Sequence, residues 1–138
     1  MKQLVPVSPA GLAAVWPRVR PGLDSMDKGD GWIPEDLYMA LKNNAATLYM
    51  VTIDGKEHGF LVLRLINDFD GPRLHIWVLY SQSKVNLMAE FSDELDAIGK
   101  SNNAIRLTFS STRLGWAKVA PKNGFSVRET VYERKIKS

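Results

Sequence analysis

Two turn signals and one long amphipathic stretch constrain this chain more than any other feature. Asp54-Gly55 separates two segments rich in β-branched and apolar residues, Thr47 to Ile53 and Gly59 to Ile66. Asp70-Gly71-Pro72 separates the second from a third, Arg73 to Tyr80. Aspartate-glycine pairs accept the positive φ angles of tight hairpin turns, so the segments read as an antiparallel meander. Gly59 to Ile66 is nearly continuous in apolar residues, which predicts burial on both faces. Lys84 to Gly99 then places Met88, Phe91, Leu95 and Ile98 on one helical face and Glu90, Asp93, Glu94 and Asp96 elsewhere, with Gly99 at the C-cap. Ala104 to Ser110 alternates Ile105, Leu107 and Phe109 against polar neighbours, the period of a strand. Strands 73–80 and 104–110, joined through a long helix, are expected to pair in parallel by a right-handed crossover.

The flanking segments complete the pattern. Lys2 to Val7 reads as a first strand closed by Ser8-Pro9, with Ser8 placed to cap a helix over Pro9 to Val19. Leu12, Val15, Trp16 and Val19 recur at helical spacing there, and Pro17 is expected to kink or shorten the helix. Pro21 to Trp32 reads as a Gly/Asp-rich loop. A second helix starts at Ile33-Pro34-Glu35-Asp36, carries Leu37, Ala40 and Leu41 on its apolar stripe, and ends at Asn43-Asn44. Arg113 to Lys122 is expected to be a short last helix, capped by Thr112 and stopped by Asn123-Gly124, with Phe125 to Ile136 as a long final strand. The order is β-α-α-β-β-β-α-β-α-β: one α/β domain over 1–138, a central mixed sheet with helices on both faces.

Composition excludes several classes. An apolar share of 45% and a charged share of 24% are those of a folded globular domain. The absence of cysteine rules out disulfides, thiolate catalysis and Cys-ligated zinc. No run approaches a membrane span, and Met1 to Pro6 has no apolar leader, so a soluble, cytoplasmic protein without a membrane partner is expected. The net charge of +3 is spread along the chain. Its one cluster, Arg134-Lys135-Lys137, is shorter than a nucleic-acid patch and reads as a solvated tail, which argues against a nucleic-acid partner. Asp24 to Gly31 invites a calcium reading that fails. Aligning Gly31 with the glycine of an EF-hand loop puts Met26 and Lys28 at ligand positions and Leu37 where a glutamate is required, so no metal is expected. Ser110-Ser111-Thr112 lacks the context of a nucleophile.

The C-terminal third carries a family resemblance. Ala104-Ile105-Arg106-Leu107-Thr108-Phe109, the helix from Arg113, and Lys122-Asn123-Gly124-Phe125-Ser126-Val127 resemble the strand, helix and Lys-x-Gly-Phe turn of the GNAT (acyl-CoA N-acyltransferase) superfamily. In topology the resemblance covers nearly the whole chain. In general character the chain is similar to small, divergent GNAT-like proteins of tailed bacteriophages. The resemblance implies acetyl-CoA as cosubstrate and a small-molecule or protein amine as acceptor. Its alternative is a non-catalytic descendant of the fold, cytoplasmic or virion-associated, with a protein partner in phage assembly or host interaction.

The resemblance also implies where the site lies. The cofactor would be held at the end of the central strand and the turn after it, by Leu79, Ser81, Gln82, Ser83, Lys84 and Val85. Gln82 and Lys84 stand where the family motif has glycines, so an anion there would rely on the amides of Ser83, Lys84 and Val85 and on the Lys84 ammonium. The other reading is that Ser83 caps the helix. Ala120 stands where the family often has a tyrosine general acid. Tyr80 is a candidate substitute, against a rim or core tyrosine. His75, read on one face with Arg73, Trp77 and Leu79 and opposite Leu74, Ile76, Val78 and Tyr80, is a candidate general base, against a packed structural histidine. Trp32 is a candidate acceptor contact, against a lid over the second helix.

Overall fold

The computed structural model describes residues 1–26, 28, 31–82, 86–111 and 115–137. Its frame is a five-stranded sheet in chain order, β1 (Lys2–Val7), β2 (Thr47–Ile53), β3 (Lys56–Asp68), β4 (Gly71–Ser81) and β5 (Arg106–Phe109). The first four strands are antiparallel neighbours, and β5 runs parallel to β4. At the β2–β3 turn Asp54 and Gly55 both take positive φ, 52° and 81°, as a two-residue hairpin requires.

One face of the sheet is covered by α1 (Leu12–Asp24) and α2 (Pro34–Lys42). Leu12, Val19, Leu23, Leu37 and Leu41 pack there on Leu48, Phe60 and Val62. The other face carries α3 (Leu87–Glu90) and α4 (Ser92–Ser101). Met88, Phe91 and Leu95 are buried against Leu61, Leu63, Leu74 and Ile76, with Ile98 packed at the margin, so the helix face read from spacing is the one that docks.

Several boundaries moved, for identifiable reasons. Helix α1 continues through Pro17 and Pro21 to Asp24, so the loop expected from Pro21 begins later and Pro17 does not end the helix. Both prolines and Ala13 lie on its exposed side, where water can satisfy the freed carbonyls while Val19 and Leu23 bury on the other. The long helix expected from Lys84 begins at Leu87, capped by the Asn86 side chain accepting from the Ala89 N–H at 3.2 Å, and breaks once at Phe91. The last helix is short, α5 (Trp116–Val119), followed by a 3-10 turn that ends at Gly124 with φ 84°. Thr112, the expected cap, lies outside the described residues.

The final strand expected over Phe125 to Ile136 does not form: residues 125–137 carry no strand. Phe125 turns into Phe109 at 5.0 Å and Arg128 reaches Asp68 at 3.2 Å. Beyond them Val127, Val131, Tyr132 and Ile136 stay exposed. A strand pattern describes side chains, whereas a strand also needs an adjacent backbone edge in register.

Candidate active site

The candidate site is set by an irregularity in β4. Val62 pairs with Val78 and Leu63 with Ile76, which leaves Trp77 without a register partner. The extra residue is a β-bulge, and it shifts side-chain alternation by one. Leu74 and Ile76 therefore face α3 and α4, whereas Val78 and Tyr80 face α1 and α2. The grouping of Leu74, Ile76, Val78 and Tyr80 on one face is corrected accordingly, as is that of Leu79, which joins the α3/α4 side. Trp77 and Val78 both pack toward α1 and α2, so they share a face although adjacent.

The same region is where the sheet opens. Pairing of β4 with β5 covers only Arg73–Arg106 through Ile76–Phe109. Beyond it, residues 77–81 of β4 have a strand neighbour on the β3 side alone among the described residues. Contact with β3 persists to the end, since Ser81 pairs with Gly59 and the Gln82 N–H donates to the His58 carbonyl at 2.8 Å. Gly59 is required there: at φ 155° a Cβ would sit 2.0 Å from the Tyr80 carbonyl oxygen. One edge of 77–81 is thus clamped, and the other has no strand partner among the described residues.

Aromatic and cationic side chains line the α1/α2 side of this opening. Tyr80 stacks on Phe60 at 5.1 Å, and both rings press on Gly22 of α1, where a Cβ would meet each at 2.9 Å. Trp32 meets Trp77 edge to face at 6.3 Å, and the Lys28 ammonium lies 5.7 Å over the Trp32 ring. On the other flank the Arg64 guanidinium lies 4.4 Å over Trp77. Trp32, Trp77 and Tyr80 therefore belong to one wall. Arg64 escaped notice in the sequence, although a single cation inside Phe60-Leu61-Val62-Leu63-Arg64-Leu65-Ile66 was a readable signal.

Toward the other end of β4 the polar groups are mutually engaged. His75 is buried, with its Nδ1 2.8 Å from the Thr108 hydroxyl, which also accepts from Arg73 at 2.9 Å. Asp68 gathers Arg73, Arg106 and Arg128 within 3.2 Å. Arg106 also forks onto Asp70, and its N–H donors hold the Asp70 carboxyl below the usual carboxylate range.

Of the expected cofactor segment, Leu79, Ser81 and Gln82 lie at the open end of β4, whereas Ser83, Lys84 and Val85 lie outside the described residues. Ala120 begins the 3-10 turn, and its carbonyl accepts from the Phe125 N–H at 3.1 Å. A cavity of about 550 Å³ lies elsewhere, between α4, the β5 segment Arg106–Thr108 and residues 123–126, and is separate from this wall. Among the described residues no group of three or more His, Asp or Glu side chains is placed to hold a metal ion, and no helix is long and apolar enough to cross a membrane.

No family model matches the chain, and no curated protein matches it significantly in sequence. Solved structures do match, over essentially the full length. A ribosomal-protein-alanine N-acetyltransferase from Brucella melitensis biovar Abortus superposes with TM-score 0.70 at 14% identity, covering 99% of this chain and 100% of the other. A predicted acetyltransferase from Clostridium acetobutylicum, solved with acetyl-CoA, gives 0.65 at 18% identity, covering 98% and 96%. An aminoglycoside N-acetyltransferase in complex with CoA gives 0.68 at 13% identity, covering 100% and 96%. The fold is that of the GNAT acetyltransferases. Identities this low describe backbone and not chemistry, so the activity rests on the site itself.

Proposed function

We propose that the chain is an acyl-CoA-dependent N-acyltransferase that acetylates a primary amine. The observation that carries this reading is the divergence of β4 from β5 beyond Ile76, beside the bulge at Trp77. An open strand edge 77–81 suits an extended, amide-bearing ligand, which it can hold by main-chain hydrogen bonds as a further strand would be held. The pantetheine arm of acetyl-CoA has that chemistry. In this reading Leu79, Ser81 and Gln82 border the arm, and the segment Ser83, Lys84 and Val85 takes the pyrophosphate, with the Lys84 ammonium supplying charge that a glycine-rich motif does not need.

Bound acetyl-CoA would supply an activated thioester; the chain's own work is to position the amine and stabilise charge. Main-chain N–H groups at the bulge polarise a carbonyl placed against them, and the wall of Trp32 and Trp77 orients the acceptor. Tyr80 is the candidate proton donor toward the departing thiolate, in place of the tyrosine that Ala120 lacks. His75, whose Nδ1 is engaged by Thr108, acts here by holding the β4–β5 junction and not as a free base.

Ala120, together with Gln82 and Lys84 at glycine positions, favours the second reading, a non-catalytic protein on this fold, with a role such as phage assembly. Calorimetry and thermal shift with acetyl-CoA separate the two. Binding raises the melting temperature by mass action, and Lys84→Ala weakens it by about 1–3 kcal/mol. Unchanged melting and no heat at millimolar acetyl-CoA would overturn the enzymatic reading. If acetyl-CoA binds but simple amines are not acetylated, Ala120→Tyr is expected to raise turnover.

A further inference from the structure

Among the described residues, arginines in the folded body come with carboxylates, with one exception. Arg18, Arg20, Arg73, Arg106 and Arg128 each hold at least one within 3.2 Å. Arg64 does not. It is half-buried on β3, and its Nε is shut off from solvent with no hydrogen-bond partner. Its described contact is the face of Trp77 at 4.4 Å. Withdrawing a guanidinium donor from water without an acceptor is unfavourable, and attraction to an indole face offsets only part of that loss.

Position makes the unpaired donor informative. Arg64 opposes His75 in register, one position from the Leu63–Ile76 pair at the bulge, and its guanidinium reaches over Trp77, the first residue beyond the β5 pairing. Lys28 adds a second cation on the same wall, 5.7 Å over Trp32, and no described carboxylate forms an ion pair with either cation. Two indoles flanked by two cations form a surface for a ligand that is apolar or planar in its body and anionic at one end.

We propose that Arg64 is the acceptor-recognition residue, its guanidinium binding an oxyanion group, carboxylate or phosphate, on an amine that lies against the wall of Trp32 and Trp77. The proposal rests on the acetyl-transfer reading above and narrows it. The acceptor is an amino acid or a phosphorylated amine and not a polycation. A guanidinium fork matches both oxyanions in geometry, and Lys28 biases the wall further toward negative charge.

The test measures binding directly. Tryptophan fluorescence and calorimetry follow titration with L-phenylalanine and with O-phosphoethanolamine, each against its counterpart without the anion, phenethylamine and ethanolamine, in the presence and absence of coenzyme A. At least one anionic amine is expected to bind about tenfold or more tightly than its counterpart, and which pair shows the preference tells carboxylate from phosphate. Arg64→Gln is expected to bring that ratio to about one, and Arg64→Lys to keep part of it. Arg64→Met is expected to melt no lower than the parent, because it removes an uncompensated buried donor. Equal binding of anionic and neutral amines, survival of the preference in Arg64→Gln, or a fall of several degrees in Arg64→Met would each overturn the proposal. Acetyl-CoA binding is scored separately. Its loss with the anion preference intact removes the acetyl-transfer reading alone, and the reverse outcome removes this proposal alone.

Discussion

The two halves of β4 are built on opposite terms. From Arg73 to Ile76 the strand has a neighbour on each side, and its polar side chains are matched, His75 to Thr108 and Arg73 to Asp68. From Trp77 to Ser81 it has one strand neighbour among the described residues and an extra residue in its register, and the guanidinium of Arg64, whose backbone opposes His75, reaches over Trp77 without a carboxylate partner. One half matches its polar side chains to one another; the other has a strand neighbour on one side among the described residues. In the proposed reading, stability and recognition occupy successive stretches of the same strand, with the bulge at Trp77 as the border.

If stability resides in the closed half, the largest loss should come from the core beneath it. Phe91 is fully buried against that core, which includes Leu74 and Ile76, and Phe91→Ala is expected to lower unfolding free energy by roughly 3–5 kcal/mol in denaturant titration. A loss below about half a kcal/mol would contradict the docking of α3 and α4. At the open half the comparable lever is steric. Gly22→Ala drives a methyl into the Phe60 and Tyr80 rings and should cost about 1–3 kcal/mol, with a change in Tyr80 near-ultraviolet dichroism. A neutral result would mean that α1 stands off the sheet.

Asp68→Asn comes next. It leaves three arginines around a neutral amide at a site that is mostly buried, for an expected loss of about 1–2 kcal/mol that high salt reduces only partly. An effect as small at the closed end as that of Arg64→Met would erase the contrast between the two halves. The smallest expected effect is in pH. Arg106 depresses the Asp70 carboxyl, so its contribution is present above the ordinary carboxylate value and is lost as pH falls through the folded one. Between about pH 5 and pH 3 the parent should therefore lose slightly more in melting temperature than Asp70→Asn does.

Much of the frame was legible from local signals. Asp54-Gly55 marked a hairpin because positive φ at both positions is a property of two adjacent residues. Met88, Phe91, Leu95 and Ile98 marked a docking face because helical periodicity is carried by residues a turn apart. The site was legible in part. Trp32 and Tyr80 were recognised as candidates, yet the wall they share with Trp77 and Arg64 depends on side chains brought together from α1–α2, β3 and β4. Phe125 to Ile136 shows the opposite failure, a strand pattern to which the folded chain gives no pairing.

The sequence by itself determined the order of the elements through β5 and the parallel step into it, because periodicity, caps and turn residues act over a few positions and a long crossover leaves one sensible pairing. Only the tertiary structure decided where the register slips. The extra residue at Trp77 is defined by what β3 places opposite it, and that slip assigns Val78 and Tyr80 to one face and Leu74 and Ile76 to the other. It likewise decided which arginines are matched, since Asp68 meets Arg73, Arg106 and Arg128 only once three separate segments converge. Arg64 is left over by that same convergence, because no described carboxylate is carried to its part of the sheet.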